Sequence, residues 1–181
     1  VFNHAIAKAG IFLLIGGITL RVAAAPGASA TLRFAQLAGL AQRMPLTCFA
    51  LTVAGLSLIG VPGTAGFVSK WYLILAAIDG ARYDIVAAIV LSSLLAVAYL
   101  WRFVEAVYFA PSGAVASAHG AGALHDAAAR PAPAARRDEA PPSMLVPALA
   151  FVFATIWFGI DTSFTLGSAL AAAQQLLAGP R

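Results

Sequence analysis

Lysine occurs only twice in this chain, at Lys8 and Lys70, and both positions sit in strongly apolar sequence. The other basic residues besides histidine are arginines, mostly in polar connections or at segment ends. The partition has a chemical meaning. Arginine keeps its proton under nearly all conditions, whereas a desolvated lysine can lose and regain one near neutral pH. His4 lies four residues before Lys8, so the two share one face of a helix. Two such bases in a poor dielectric titrate as a coupled pair. Residue types and spacing therefore suit a proton relay, with Asn3 and Thr19 able to hold water beside it. The plainer reading of His4 and Lys8 is that they reach toward a membrane surface from a helix start.

Lys70 follows a break. The stretch from Leu56 to Leu73 begins as an apolar helix, stops at Gly60-Val61-Pro62-Gly63, and resumes after Gly66. Irregular backbone at membrane depth is tolerated only where protein or a wet cavity satisfies its polar groups. An ionisable residue at such a place marks an ion or proton path by default. Ser57, Thr64 and Ser69 supply hydroxyls around Lys70. The competing reading is a lysine anchoring a helix end beside Trp71 and Tyr72, an interfacial trio. Arg102 and Glu105, flanked by Trp101 and Tyr108, read as a structural ion pair in an aromatic belt.

The elements that must position these residues are membrane helices. Of 181 residues, 61% are hydrophobic and 10% charged, where a soluble domain carries about 25% charged residues. The apolar segments are apolar on both parities, which argues for helices and against a barrel. The expected fold is an all-α integral membrane bundle with a helix broken near residues 60–66. The net charge of +4 comes from arginines that report topology and does not imply nucleic acid. The single Cys48 excludes a disulfide within the chain. His119 and His125 lack the neighbours of a metal site, and no metal or cofactor is implied.

Taken in order, residues 1–22 form a span ending at Arg21. Residues 23–44 form a polar connection, in which Leu32, Phe34, Leu37 and Leu40 suit a short interfacial helix. Pro45 suits a first helical turn. Residues 46–60 and 67–79 are two short apolar halves, either one discontinuous helix, which we favour, or two helices meeting at a re-entrant turn. Residues 85–109 are the longest apolar run. Residues 110–142 are dominated by Ala and Pro and read as a disordered loop. Residues 143–160 form a last span, with a small-residue helix at 164–178. The domains expected are thus a bundle over 1–109, the loop, and a C-terminal helical unit over 143–181. Val1-Phe2-Asn3-His4 reads as helix interior, so the chain is expected to be the C-terminal part of a longer protein.

Four motifs carry a family resemblance. Asn3-His4-Ala-Ile-Ala-Lys8-Ala, Gly39-Leu40 to Met44-Pro45-Leu-Thr47, the stretch Leu56 to Leu73, and Ser92-Ser93 to Arg102 occur in the order found in antiporter-like membrane subunits. These comprise subunits of respiratory complex I, membrane-bound hydrogenases and Mrp-type cation/proton antiporters. The wording around the break is most similar to the D subunit of the Mrp branch. The resemblance implies that Lys70 is the channel lysine of the discontinuous helix and that Lys8 and His4 lie on the central proton path. It implies a multi-pass place in the inner (plasma) membrane. It also implies other membrane subunits as partners, with protons and monovalent cations as the transported ions. The family's fourteen-helix fold carries further charged residues in its first repeat, and this chain resembles roughly the last third. The expected function is therefore proton translocation within a cation/proton antiporter, a transporter subunit and not itself an enzyme. A complex I-like oxidoreductase or hydrogenase subunit, and an inactive fragment or scaffold, are the alternatives.

Overall fold

The computed structural model describes residues 2–23, 34–110 and 138–178. Among these the secondary structure is helical throughout. Helix α1 (Phe2–Ala23) leads to a 3-10 turn at Phe34–Leu37 and a one-turn helix α2 (Leu40–Arg43). Helices α3 (Pro45–Ile59) and α4 (Ala65–Asp79) flank the break, and α5 (Tyr83–Val104) follows. Helix α6 (Pro142–Ile160) and α7 (Ser163–Leu177) complete the bundle. Three helical stretches, Phe2–Val22, Tyr83–Phe109 and Pro142–Ile160, are long and apolar enough to cross a membrane. Helices α3 and α4 have 15 residues each, about 22 Å apiece, so neither crosses alone.

Packing follows the small residues. Apolar attraction between helices is weak in lipid, so close backbone approach must supply the contact. The buried stripe of α1 runs through Ala7, Gly10, Leu14 and Gly17. A methyl group at Gly10 would meet the Cβ of Phe151 at 3.3 Å, so α6 lies directly against this stripe. The core then extends through Ile18, Met44, Cys48, Leu51 and Val107.

The start of α3 has a problem that another segment solves. Pro45 opens the helix, and Met44 in the capping position offers no side-chain acceptor. The orphan N–H groups of the first turn need a partner. Glu139 supplies it from 92 residues away: its carboxylate accepts from the Thr47 N–H at 3.1 Å and the Thr47 hydroxyl at 2.7 Å. It also accepts from the Leu46 N–H at 2.8 Å. Arg21, at the end of α1, donates to the Glu139 carbonyl at 2.9 Å and pairs with Asp138 at 3.2 Å. The Asp138 N–H donates to the Arg43 carbonyl. Residues 138–141 thus form a strap joining α1, α3 and α6.

Three sequence expectations change here. The loop expected over 110–142 ends earlier, because the negative charge of Glu139 is drawn to the positive end of α3; residues 111–137 lie outside the described residues. The interfacial helix expected from Leu32 to Leu40 is instead two short turns separated at Gly39, which has φ 67°. Leu37 and Leu40 are buried in the core and do not face lipid; Leu32 lies outside the described residues. Finally, Arg102 and Glu105 do not form an ion pair. The Arg102 guanidinium lies over the Phe34 ring, 5.7 Å from its centre. From Glu105 to Phe109 the helix widens by one residue per turn, with the Ala110 N–H reaching the Glu105 carbonyl. That widening begins beyond the pair, since the Glu105 N–H still bonds the Trp101 and Arg102 carbonyls; the Phe34 ring is what holds the arginine.

Candidate functional site

The break is built from local backbone chemistry. Helix α3 ends because Gly60 takes φ 91°, a left-handed conformation that side chains with a Cβ resist. The Val61 N–H turns back to the Leu56 carbonyl, and the Gly60 N–H reaches Leu56 and Ser57. Those bonds satisfy two of the last carbonyls of α3. A turn follows, with Pro62 and Gly63 (φ 88°) in its middle and the Thr64 N–H donating to the Val61 carbonyl at 3.2 Å. Pro then a positive-φ glycine is the pattern of a type II turn. The Thr64 hydroxyl donates to the same Val61 carbonyl at 2.7 Å. Extended backbone at Thr64 then releases the chain into α4.

The Ile59 carbonyl remains at the end of α3, and Lys70 takes it. The ammonium Nζ donates to this carbonyl at 2.8 Å and to the Ser93 hydroxyl of α5 at 2.8 Å. Ser93 in turn donates to the Ile89 carbonyl at 3.0 Å. The Lys70 stem passes over Gly60, where an added Cβ would lie 3.0 Å from its Cδ. Among the described residues, no carboxylate lies within 4 Å of Lys70. The ammonium is thus held by neutral oxygens only, at the negative end of a helix. Such a group is held in place by hydrogen bonds and, among the described residues, bound to no fixed anion.

The remaining site residues divide between two sides of the break. Gly66 lies hard against the Ser57 carbonyl, closer than any Cβ would allow. Ser57 is fully buried, and its hydroxyl has no hydrogen-bond partner among the described residues. On the α1 side, the Asn3 amide donates to the Ala65 carbonyl at 3.0 Å and to the Ser69 hydroxyl at 2.9 Å. Asn3 is thus tied to the first turn of α4. His4 and Lys8 are exposed on the outer face of α1, and no hydrogen bond or ion pair among the described residues joins them to Lys70. The structure brings Lys70 together with the break, and Asn3 with Ser69, but leaves His4 and Lys8 facing outward.

Ser93 is the partner that reasoning from residue types did not single out. A signal existed: Ser92 and Ser93 are the only serines in the apolar run 83–104. A hydroxyl in such a run either bonds its own helix or serves a neighbour, and Ser93 does both.

The chain is similar to known membrane proteins. Residues 1–96 match the family described as NADH:quinone oxidoreductase/Mrp antiporter, TM. NADH-quinone oxidoreductase subunit N from Desulforudis audaxviator is 35% identical over 163 residues, covering 88% of this chain and 29% of that protein. F(420)H(2) dehydrogenase subunit N from Methanosarcina mazei is 30% identical over 110 residues, covering 60% of this chain and 22% of the relative. Among solved structures, a chain of the Mrp complex from Dietzia sp. DQ12-45-1b is similar with a TM-score of 0.67 and 27% identity. That match covers 91% of this chain and 34% of the other. The chain therefore spans less than a third of the length of these curated relatives.

Proposed function

The chain belongs to the NADH:quinone oxidoreductase/Mrp antiporter transmembrane family, and on that premise we propose that it contributes the lysine gate of a proton-translocating membrane subunit. One observation carries the reading: the Lys70 ammonium spans the helix break, from the Ile59 carbonyl to Ser93, with no carboxylate partner among the described residues. A proton leaving Lys70 would remove the charge that holds the break to α5, and its return would restore it. Chemistry at one atom is thereby linked to the placement of two helices. Helical dipoles and carbonyls meeting at a broken helix serve ion sites in other membrane folds.

His4 and Lys8 form the second group of the path. Their exposed face on a membrane-length helix needs a protein surface or a wet cavity over it, because titratable groups are costly against lipid. That need supports membership of a multisubunit assembly in the inner (plasma) membrane, with other membrane subunits as partners. The names of the curated relatives support a quinone-coupled, complex I-like assembly. Similarity to the Mrp complex supports the second reading, a D-type subunit of a cation/proton antiporter.

The test uses everted membrane vesicles carrying the full assembly and a pH-sensitive dye. Lys70→Ala and Lys70→Arg, at normal protein levels, are expected to lose proton uptake. Arginine keeps the charge but will not release its proton. Wild-type flux in either variant would sink the gate assignment. Uptake driven by NADH and stopped by a quinone-site inhibitor would favour the first assembly; uptake driven by an imposed Na⁺ or K⁺ gradient would favour the second.

A further inference from the structure

We propose that Asn3 is a positioning residue, a two-donor tether that fixes the first turn of α4 to α1 and so sets where Lys70 stands. The inference rests on the reading of Lys70 as the proton-exchanging group. Asn3 precedes His4 in the sequence, and Ser69 precedes Lys70. Each partner of this contact therefore sits next to a group of the proposed path, and the tether is the polar link between their two helices.

The geometry uses the donor half of the amide, while the buried Asn3 Oδ1 has no hydrogen-bond partner among the described residues. Both hydrogens of the Asn3 Nδ2 are used, one on the Ala65 carbonyl and one on the Ser69 hydroxyl. Ala65 is the first residue of α4, and Ser69 lies one turn further on, itself donating to the Ala65 carbonyl at 3.3 Å. The three groups close a small polar triangle around the start of the helix. Asn3 is 93% buried, so water does not readily replace its bonds. A carboxylate in its place would offer acceptors where two donors are needed.

Helix α4 packs against α5 and α6 as well as α1 and α3, and Asn3 adds directional hydrogen bonds at its first turn. Thr64 spends its hydroxyl on the turn and makes no side-chain cap for α4. On the far side, Gly66 packs against Ser57 of α3. Helix α4 is thus held at its start by α3, by Gly159 of α6 lying against Thr64, and by the Asn3 hydrogen bonds from α1. The Lys70 bond to the Ile59 carbonyl requires that α3 and α4 keep this offset. Releasing Asn3 lets the first turn shift, and the ammonium loses its alignment with Ile59 and Ser93.

Two measurements test this in the full assembly. The first is proton uptake in everted vesicles at matched protein levels. Asn3→Asp and Asn3→Leu are each expected to lower uptake roughly tenfold, the scale of one buried hydrogen-bonded contact. The exchanged pair Asn3→Ser with Ser69→Asn restores an amide-to-hydroxyl bond in reverse and should recover most of the loss. A role confined to folding would lower the amount of assembled protein and leave uptake per assembled complex unchanged. Unchanged uptake in Asn3→Leu, or failure of the exchanged pair while both proteins assemble normally, overturns the proposal. The second measurement is independent of transport: Asn3→Cys with Ser69→Cys, in a Cys48→Ala background, should be joined by a short bis-thiol reagent. Absence of that cross-link in assembled protein also overturns it. If Lys70→Ala transports normally, the gate reading falls while the cross-link still reports the tether. If Lys70→Ala is inactive and Asn3→Leu is not, only the tether's role falls.

Discussion

The two ends of α3 solve the same electrostatic problem with different chemistry. At the N-terminal end, the partial positive charge meets the Glu139 carboxylate, which accepts three hydrogen bonds from Leu46 and Thr47. Arg21 and Asp138 pin that strap with an ion pair of their own. At the C-terminal end, the partial negative charge meets the Lys70 ammonium, held only by the Ile59 carbonyl and the Ser93 hydroxyl. Both arrangements complement the helix dipole. The first end is a network of charges and backbone donors that holds its partners together. The second relies on one ammonium group held by two neutral oxygens. The difference teaches where the molecule is built to stay put and where it is built to respond.

Substitutions can break this contrast or sharpen it. The largest effect should come from Lys70→Ala, which is expected to abolish proton uptake and leave the amount of assembled protein near normal. A collapse of assembly in that variant would mean that both ends of α3 are structural. Next, Glu139→Ala should destabilise the protein by about 2 kcal/mol, the loss of a charged helix cap. Thermal unfolding in detergent would read this, with Glu139→Gln keeping part of the stability. Specific uptake per assembled complex should change little. A smaller effect is expected for Ser93→Ala, which removes one of the two Lys70 partners: a loss of about 1 kcal/mol, or roughly fivefold in uptake. Stability should move much less than in Glu139→Ala. If Ser93→Ala instead lowers stability as much as Glu139→Ala does, the distinction between the ends fails.

The smallest effect concerns a third, fully solvated cap. Asp161 accepts from the Ser163 hydroxyl at 2.5 Å and its N–H at 3.0 Å, at the start of α7. The Ser163 side chain, then its backbone N–H, hold this carboxyl below its ordinary range. A depressed folded-state value means that the cap contributes above the unfolded value and is lost as pH falls through the folded one. Amide exchange in the first turn of α7 should therefore rise on acidification. No change there, or a change shared by all helices, would assign the effect elsewhere.

Much of this arrangement was legible in residue types. Gly60, Pro62 and Gly63 mark the break, because few other residues take those backbone angles. Lys70 stands out because lysine is otherwise so scarce in apolar sequence. The family motifs added which helix carries which group, and residues 1–96 match that family. What sequence did not disclose is pairing across distance. Glu139 reads as one charge among several in an Ala- and Pro-rich stretch, and only the folded bundle brings it to Thr47. The Arg102 and Glu105 spacing suggests a pair, but the Phe34 ring, distant in sequence, takes the arginine. Asn3 reads as a residue to hold water, whereas its amide holds backbone. Local rules find caps and turns; they do not say which distant side chain will arrive to complete them.

The strap has a further consequence for topology. Both edges of the stretch 111–137 are anchored on one side of the bundle. At one edge, the Gly39 N–H donates to the Ala106 carbonyl; at the other, the Asp138 N–H donates to the Arg43 carbonyl. Lengthening a connection whose ends are already fixed costs little, because closure entropy grows only with the logarithm of its length. An epitope placed between these edges should therefore be tolerated, and would sit on the same membrane side as Arg21 and Arg43. Whether that insert is reached by antibody in intact cells or only in everted vesicles would therefore read the orientation of every helix in the bundle.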